Sequence, residues 1–470
     1  MDRRSFIKAS AVSGMGLGYS GLVSNGLAVN PARTYSRPSD LRITDIRGCV
    51  LATHFPNPII KIYTNQDIVG LGEVRDAGWL ASALMMKPHL VGKDPLEIEQ
   101  ILASIRHLSG HGRLGGGYSA IDIALMDIAG KAMGWPCWKL LNMGEKYREE
   151  VPIYASTGAV QNTPRYREFM QQRVEKEYQH YKMNVSSLDN VDGGREGGVP
   201  TQKGLEVWGQ QVLDVRDVIG YDVSLGAQSF GYQTAASGIE LGQFMADGQY
   251  GLAYIEEVID FRRANAVNLN RQITDRSPTP TQAGENIFGL DSFAPYIMAG
   301  AFDIIHPDML TSGGMIGTKK IAELAHRHGI PMMLHAAPSP VAQIAMVHCA
   351  AVMESFIALE YQFRWPQMPW WEKLVSGIEK PLIQEGGVIP VPEGPGLGLE
   401  FNDEVAEKYL MEPEYLPFDP GLFDPTPQFD EPMLMLEAKE KGLIDYDRDN
   451  SYSLWHIDEN LEYGYKRRGS

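Results

Sequence analysis

Seven short stretches of this chain place an ionisable or amide side chain at the end of an apolar run. They are Lys182-Met183-Asn184, Ala227-Gln228-Ser229, Ile255-Glu256-Glu257, Gly284-Glu285-Asn286, Pro307-Asp308, His335 and Glu360. Acids, a base and a lysine in such a set suit acid–base chemistry. Gathered on one face, so many acids repel one another unless a cation sits among them. Glu256 and Glu285, on neighbouring runs, are a natural oxygen pair for Mg²⁺, which takes a few carboxylates together with water and substrate oxygens.

The apolar runs themselves predict what positions these groups. Val151–Tyr154, Tyr181–Val185, Val223–Ala227, Leu252–Ile255, Thr281–Ala283, Phe302–Ile305, Pro331–Leu334 and Phe356–Leu359 alternate with helical patterns. One predicted helix puts Ile321, Leu324, Ala325 and His328 on a single face; another opens at Ser339-Pro340, a cap followed by proline. Eight such repeats fit a closed parallel (β/α)₈ barrel over residues 151–385, an α/β fold with its chemistry at the C-terminal strand ends. Two connections read as long functional loops: glycine-rich Ser186–Thr201 and polar Ile259–Pro280.

Ahead of the barrel, residues 43–148 read as a compact α+β capping domain. Ile43–Leu51, Ile59–Tyr63 and Val69–Val74 form a meander. Ile121, Ala124, Leu125, Ile128 and Ala132 make one apolar helical stripe, stopped by Gly134 and Pro136. Residues 386–410 read as a return segment packing on the cap, and 411–470 as an acidic, aromatic extension without clear periodicity.

A net charge of −17 argues against a nucleic-acid or anionic-membrane partner. The three cysteines, Cys49, Cys137 and Cys349, match neither a disulfide framework nor a zinc spacing and read as buried thiols. Arg3-Arg4-Ser5-Phe6-Ile7-Lys8, a glycine-rich apolar run and the small residues Gly26-Leu27-Ala28 have the layout of a twin-arginine signal within residues 1–38. The expected location is therefore periplasmic or secreted, with no membrane anchor.

The chain resembles the enolase superfamily, and within it the mandelate racemase-like subgroup, over residues 43 to about 405. The likeness rests on the helix Ala120–Lys131, on Gly92-Lys93-Asp94-Pro95, and on Pro392–Gly398. Its most specific part is Pro307-Asp308, Ser312-Gly313-Gly314-Met315, Gly329-Ile330-Pro331 and His335. The resemblance implies Glu256 and Glu285 as Mg²⁺ ligands, Asp308 orienting His335 as base, Lys182 on the substrate carboxylate, and Glu360 as a protonated acid beside the developing enediolate. A Lys or His base with Mg²⁺ is what the resemblance implies, not something read from spacing.

Two positions depart from the pattern. Asn184 stands where a second lysine base is usual, and Gln228 occupies the expected place of the third, aspartate ligand, which predicts weaker metal binding. A one-base site disfavours inversion, so the resemblance implies dehydration of a sugar acid. An epimerase or cycloisomerase of a related carboxylate, or a secreted non-catalytic binding protein on the same scaffold, are the alternatives. Substrate contacts are expected from His54, Phe55, Trp79 and Ser229, with the loop His107–Gly117 closing over the mouth, and a homo-oligomer is expected.

Overall fold

The computed structural model describes residues 40–52, 56–159, 170–171, 173–189, 191–362 and 370–410. His54 and Phe55, the twin-arginine segment and the 411–470 extension lie outside these residues.

Strands β1 (Ile43–Leu51), β2 (Asn57–Thr64) and β3 (Val69–Glu73) pair antiparallel as a meander. Their inward side chains, Ile43, Ile46, Ile60 and Ile62 among them, pack on the helix Gly116–Met133. That helix was expected to bury one stripe. Instead every residue except Lys131 and Met133 is buried. The reason is its place between two cores: Ile121, Ala124 and Ile128 belong to the cap core, while Ile123 and Met126 belong to the barrel core. A helix packed on both sides has no polar face to display. It ends at Gly134, whose φ of 70° is the left-handed cap conformation that glycine adopts without strain.

Strands β4 (Glu150–Ala159), β5 (His180–Asn184), β8 (Ser224–Gln228), β9 (Tyr254–Glu256), β10 (Thr281–Ala283), β11 (Ile304–Ile305), β12 (Met332–Leu334) and β13 (Phe356–Gln362) run parallel in that order. β13 pairs with β4 through Leu359↔Ile153 and Glu360↔Tyr154, closing an eight-stranded barrel. Tyr154, Tyr254, Met333 and Ala358 fill its interior, so the barrel is a packed core and the open chemistry is left to the strand ends.

Between β5 and β8 the glycine-rich connection folds into a small hairpin, β6 (Arg195–Glu196) and β7 (Val199–Pro200). The stretch Ile259–Pro280 is not a long loop, because it contains the helix Ala266–Thr274. His328 does not join the buried face of the helix Gly314–Arg327; it is exposed, just past the last turn. Later come β14 (Val375–Ser376), β15 (Val388–Pro390) and β16 (Glu400–Phe401). β15 pairs antiparallel with β4, after which the chain returns to the cap through the bridges Pro136↔Gly396 and Leu51↔Leu410.

Buried carboxylates stitch cap to barrel. Glu73 accepts from Ser339 N and Ser339 Oγ, both at 2.6 Å, and from Ala342 N at 3.2 Å, at the start of the helix Pro340–Ala351. Asp122 accepts from Ile316 N at 3.2 Å in the first turn of Gly314–Arg327. Helix starts carry unpaired N–H groups and positive partial charge, which makes them good berths for acids from a second domain. The three cysteines are free and buried, as their spacing suggests.

Candidate active site

Alternation along each barrel strand sends every second side chain inward, and at the C-terminal end that brings Lys182, Glu256 and Glu360 together. Lys182 is 2% exposed, and its Nζ lies 3.3 Å from Glu256 Oε1 and 3.3 Å from Glu360 Oε1. Burial alone would lower the ammonium, but Glu256 and Glu360 hold it above its ordinary value.

A closed ring of polar contacts surrounds this lysine. The Tyr154 hydroxyl donates to Glu360 Oε2 at 2.8 Å and also sits 2.8 Å from His306 Nε2. His306 Nδ1 in turn faces Glu256 Oε1 at 3.3 Å, and Gln282 donates to Glu256 Oε2 at 2.8 Å. Burial pushes Glu256 up, yet His306 and Lys182 outweigh it and bring the carboxyl down to about 2. Glu360 was expected as a protonated acid. Burial favours that, but Lys182 and His335 pull it below the usual carboxylate range, so it is ionised.

Beside the ring stands the pair Asp308–His335, with Asp308 Oδ2 2.6 Å from His335 Nδ1. Asp308 is held by its own cap, accepting from Leu310 N at 2.7 Å. Nε2, the free end of the imidazole, lies 3.4 Å from Glu285 and 3.7 Å from Glu360. Burial lowers the imidazole, but Glu285, Glu360 and Asp308 together raise it to about 9.

Arg75 was missed by sequence reasoning. It comes from the cap, just past β3, and is 3% exposed. Its guanidinium meets Asp308 Oδ2 at 3.2 Å and Asp76 Oδ1 at 2.7 Å, and donates to the Glu285 carbonyl at 2.9 Å and Thr311 Oγ1 at 2.7 Å. The signal was available as a charged pair, Arg75-Asp76, directly after an apolar strand. His306 and Tyr154 were missed too, although each lies two residues from an inward-facing position or paired with one.

Of the expected Mg²⁺ set, Gln228 and Glu285 lie side by side, and Glu256 is turned to Lys182. Among the described residues no group of three or more His, Cys, Asp or Glu side chains is placed to hold one ion. Gln228 donates to Glu285 Oε2 at 3.4 Å, and Asn286 donates to Oε1 at 3.0 Å. Burial raises Glu285, but His335 and Arg75 hold it well below the usual range. Glu257, next to Glu256 with φ of 53°, behaves oppositely: burial and the charges of Glu285 and Glu256 push it up to about 8.

The other expected contacts are mixed. Asn184 is half-buried, in register with Gln228. Ser229 is exposed at the strand end with φ of 73°. Trp79 is 79% exposed and so buries little against anything; from that stretch it is Arg75 that reaches the barrel. The loop His107–Gly117 does lie on the barrel's connections: Gly112 N donates to Asn286 O at 2.9 Å, and Phe288 N donates to His111 Nδ1 at 3.0 Å.

Residues 165–405 match the enolase C-terminal domain-like family, and residues 49–142 match the mandelate racemase/muconate lactonizing enzyme N-terminal domain. The chain is 30% identical over 386 residues to the D-xylonate dehydratase of Haloferax volcanii, covering 80% of this chain and 91% of that one. It is 28% identical to the D-galactarolactone cycloisomerase of Agrobacterium fabrum, over 75% of this chain and 91% of that one. A crystal structure of a mandelate racemase/muconate lactonizing enzyme-like protein from Rubrobacter xylanophilus superposes with a TM-score of 0.72 at 27% identity, covering 79% of this chain and 98% of that one.

Proposed function

We propose, from the premise that the chain belongs to the enolase superfamily in its mandelate racemase/muconate lactonizing enzyme group, that it dehydrates a sugar acid to a 2-keto-3-deoxy acid. The observation that carries this reading is the 2.6 Å Asp308–His335 pair beside the buried Lys182 ammonium. A base held against carbon next to a cation held for a carboxylate is what removal of an α-proton needs. The sugar-acid dehydratase in the same family supports the substrate class.

Membership in this family implies a divalent metal. The donor set does not fit one, because the carboxylates that would ligate it are already engaged by Lys182, His306, His335 and amide donors. The steps therefore run through side chains. The substrate carboxylate lies against Lys182. His335 Nε2 takes the proton as the Cα–H bond breaks, and the electron pair moves onto the carboxylate. The β C–O bond then breaks, and the proton held by His335 leaves with the hydroxyl as water. The enol becomes the 2-keto acid by gaining a solvent proton at C3 and releasing its hydroxyl proton to solvent. No electrons are lost or gained overall.

Asp308 keeps the imidazole turned toward the substrate, and Arg75 holds Asp308 from the cap side. Asn184 carries no basic lone pair, so the opposite face of the substrate has no lysine to complete an inversion. Incubation with a panel of sugar acids, read by mass spectrometry for loss of water and appearance of a 2-keto acid, tests the reading. Turnover to an isomer of unchanged mass contradicts it and favours the cycloisomerase or epimerase chemistry. Export is a separate proposal, carried by Arg3-Arg4. Arg3→Lys with Arg4→Lys is expected to leave the protein in the cytoplasm, and continued export of that double variant contradicts it.

A further inference from the structure

The strand between Lys182 and Glu256 offers no side chain level with Lys182. Gly226 on β8 is in register with Lys182 on one side and Tyr254 on the other. A Cβ on Gly226 would lie 2.0 Å from Tyr254 Cζ, so the tyrosine ring occupies the space into which any acid at this position would project. Lys182 reaches Glu256 across that gap. On the next inward position up the strand stands Gln228, whose amide is turned to Glu285 as a donor.

Both carboxylates expected to ligate a cation already have cationic or amide neighbours. Glu256 has Lys182 and His306 at 3.3 Å on Oε1 and Gln282 at 2.8 Å on Oε2. Glu285 has Asn286 at 3.0 Å and Arg75 at 3.8 Å on Oε1, and Gln228 and His335 at 3.4 Å on Oε2. A divalent ion placed between them would have to expel a buried ammonium and stand beside a buried guanidinium. Like charges that close, in a largely buried site, repel strongly. An ammonium differs from Mg²⁺ in the protein's favour here: it is covalently held, needs no ligand cage, and presents N–H donors to a carboxylate.

We propose that Lys182, braced by Glu256 and Glu360, replaces the divalent metal, and that this chain holds and activates its carboxylate substrate without a metal ion. His306 and Tyr154 are positioning residues: through Glu256 and Glu360 they fix the two acids that aim the ammonium. The inference rests on the proposed proton abstraction for its chemistry, but the question of the metal can be answered without knowing the substrate.

The test is a titration of Mn²⁺ into chelator-treated full-length protein, followed by electron paramagnetic resonance of free Mn²⁺, on wild type, Glu256→Gln and Lys182→Met. The expected result is no stoichiometric binding by wild type at millimolar metal, and appearance of a site in Lys182→Met, which frees Glu256 from its ammonium. A metal bound by wild type and unaffected by Glu256→Gln lies elsewhere and leaves the inference standing. One equivalent bound by wild type and lost in Glu256→Gln overturns it. A second arm measures sugar-acid turnover with chelator present throughout: undiminished turnover supports the inference, and turnover that needs added Mg²⁺ overturns it. Should no sugar acid react, the dehydratase reading fails while the Mn²⁺ titration still decides the metal question.

Discussion

Two regions of this molecule bury carboxylates and treat them in opposite ways. At the barrel mouth Glu256, Glu285 and Glu360 face Lys182, His306, His335 and Arg75, and all three are held below their ordinary values against the pull of burial. Along the seam with the cap, Glu73 and Asp122 meet backbone N–H groups, a serine and an asparagine instead, and burial pushes both up to about 7. Glu256 and Glu360 are as deeply buried as Glu73 and Asp122, so there the partner decides the charge state. At the mouth the acids beside cations stay charged, while Glu257, beside Glu256 and Glu285, is pushed up to about 8. The seam is a set of hydrogen bonds that works with its acids close to neutral.

The largest expected break in the comparison is His335→Asn. It removes the base while keeping a similar shape, so turnover should fall by ~10²–10⁴-fold or more. The same base sets a pH profile in wild type. With the imidazole at about 9, its neutral fraction grows as pH rises, so kcat/KM should climb from neutral pH and level off near that value. A flat profile between pH 7 and 9 contradicts the assignment of His335 as the base. Next in size is Arg75→Met, which leaves Asp308 and Asp76 buried without their cation. Losing one partner of a buried ion pair costs about 3–5 kcal/mol, measurable by denaturant unfolding, and turnover should drop with it.

At the seam the effects are smaller. Glu73→Ala strips the acceptor from Ser339, Ala342 and Asn57 and should cost about 1–3 kcal/mol for groups left unpaired. Glu73→Gln, which keeps one carbonyl acceptor, should cost less. The smallest expected effect is a slope. Folded Glu73 and Asp122 bind protons up to about pH 7, whereas the unfolded chain releases them near 4.5 and 3.8. The folded state thus holds more protons in that window, so their contribution to stability falls as pH rises through it. At the mouth Glu256 has the opposite sign, stabilising at neutral pH and losing that contribution only as pH falls toward about 2, whereas His335, raised to about 9, shares the downward slope. Melting temperatures of wild type and Glu73→Gln from pH 5 to 8 should show a downward slope that the variant blunts.

Much of this was legible in the chain. The barrel strands announce themselves as apolar runs, and acids that end them must converge once the barrel closes. The dyad and the lysine follow from that geometry and from the family resemblance. Hidden features depend on contacts between elements. The helix Ala266–Thr274 buries only Ala266, Asn270 and Ile273, a stripe too thin and too polar to stand out from a loop. Gly226 reads as an ordinary strand glycine until the Tyr254 ring is seen against it. The ionised state of Glu360 comes from Lys182, 178 positions away along the chain. Arg75 enters from another domain altogether.

The account's central claim is that one base, His335, removes an α-proton and a β-hydroxyl then departs. It is tested most directly by running the reaction in D₂O on a sugar acid that the enzyme consumes, with a chelator present, and following it by NMR. The expected product is a 2-keto-3-deoxy acid carrying deuterium at C3, with the remaining substrate unchanged at C2. Accumulation of the C2 epimer of the starting acid, deuterated at that carbon, would require a second base and would contradict the one-base dehydration.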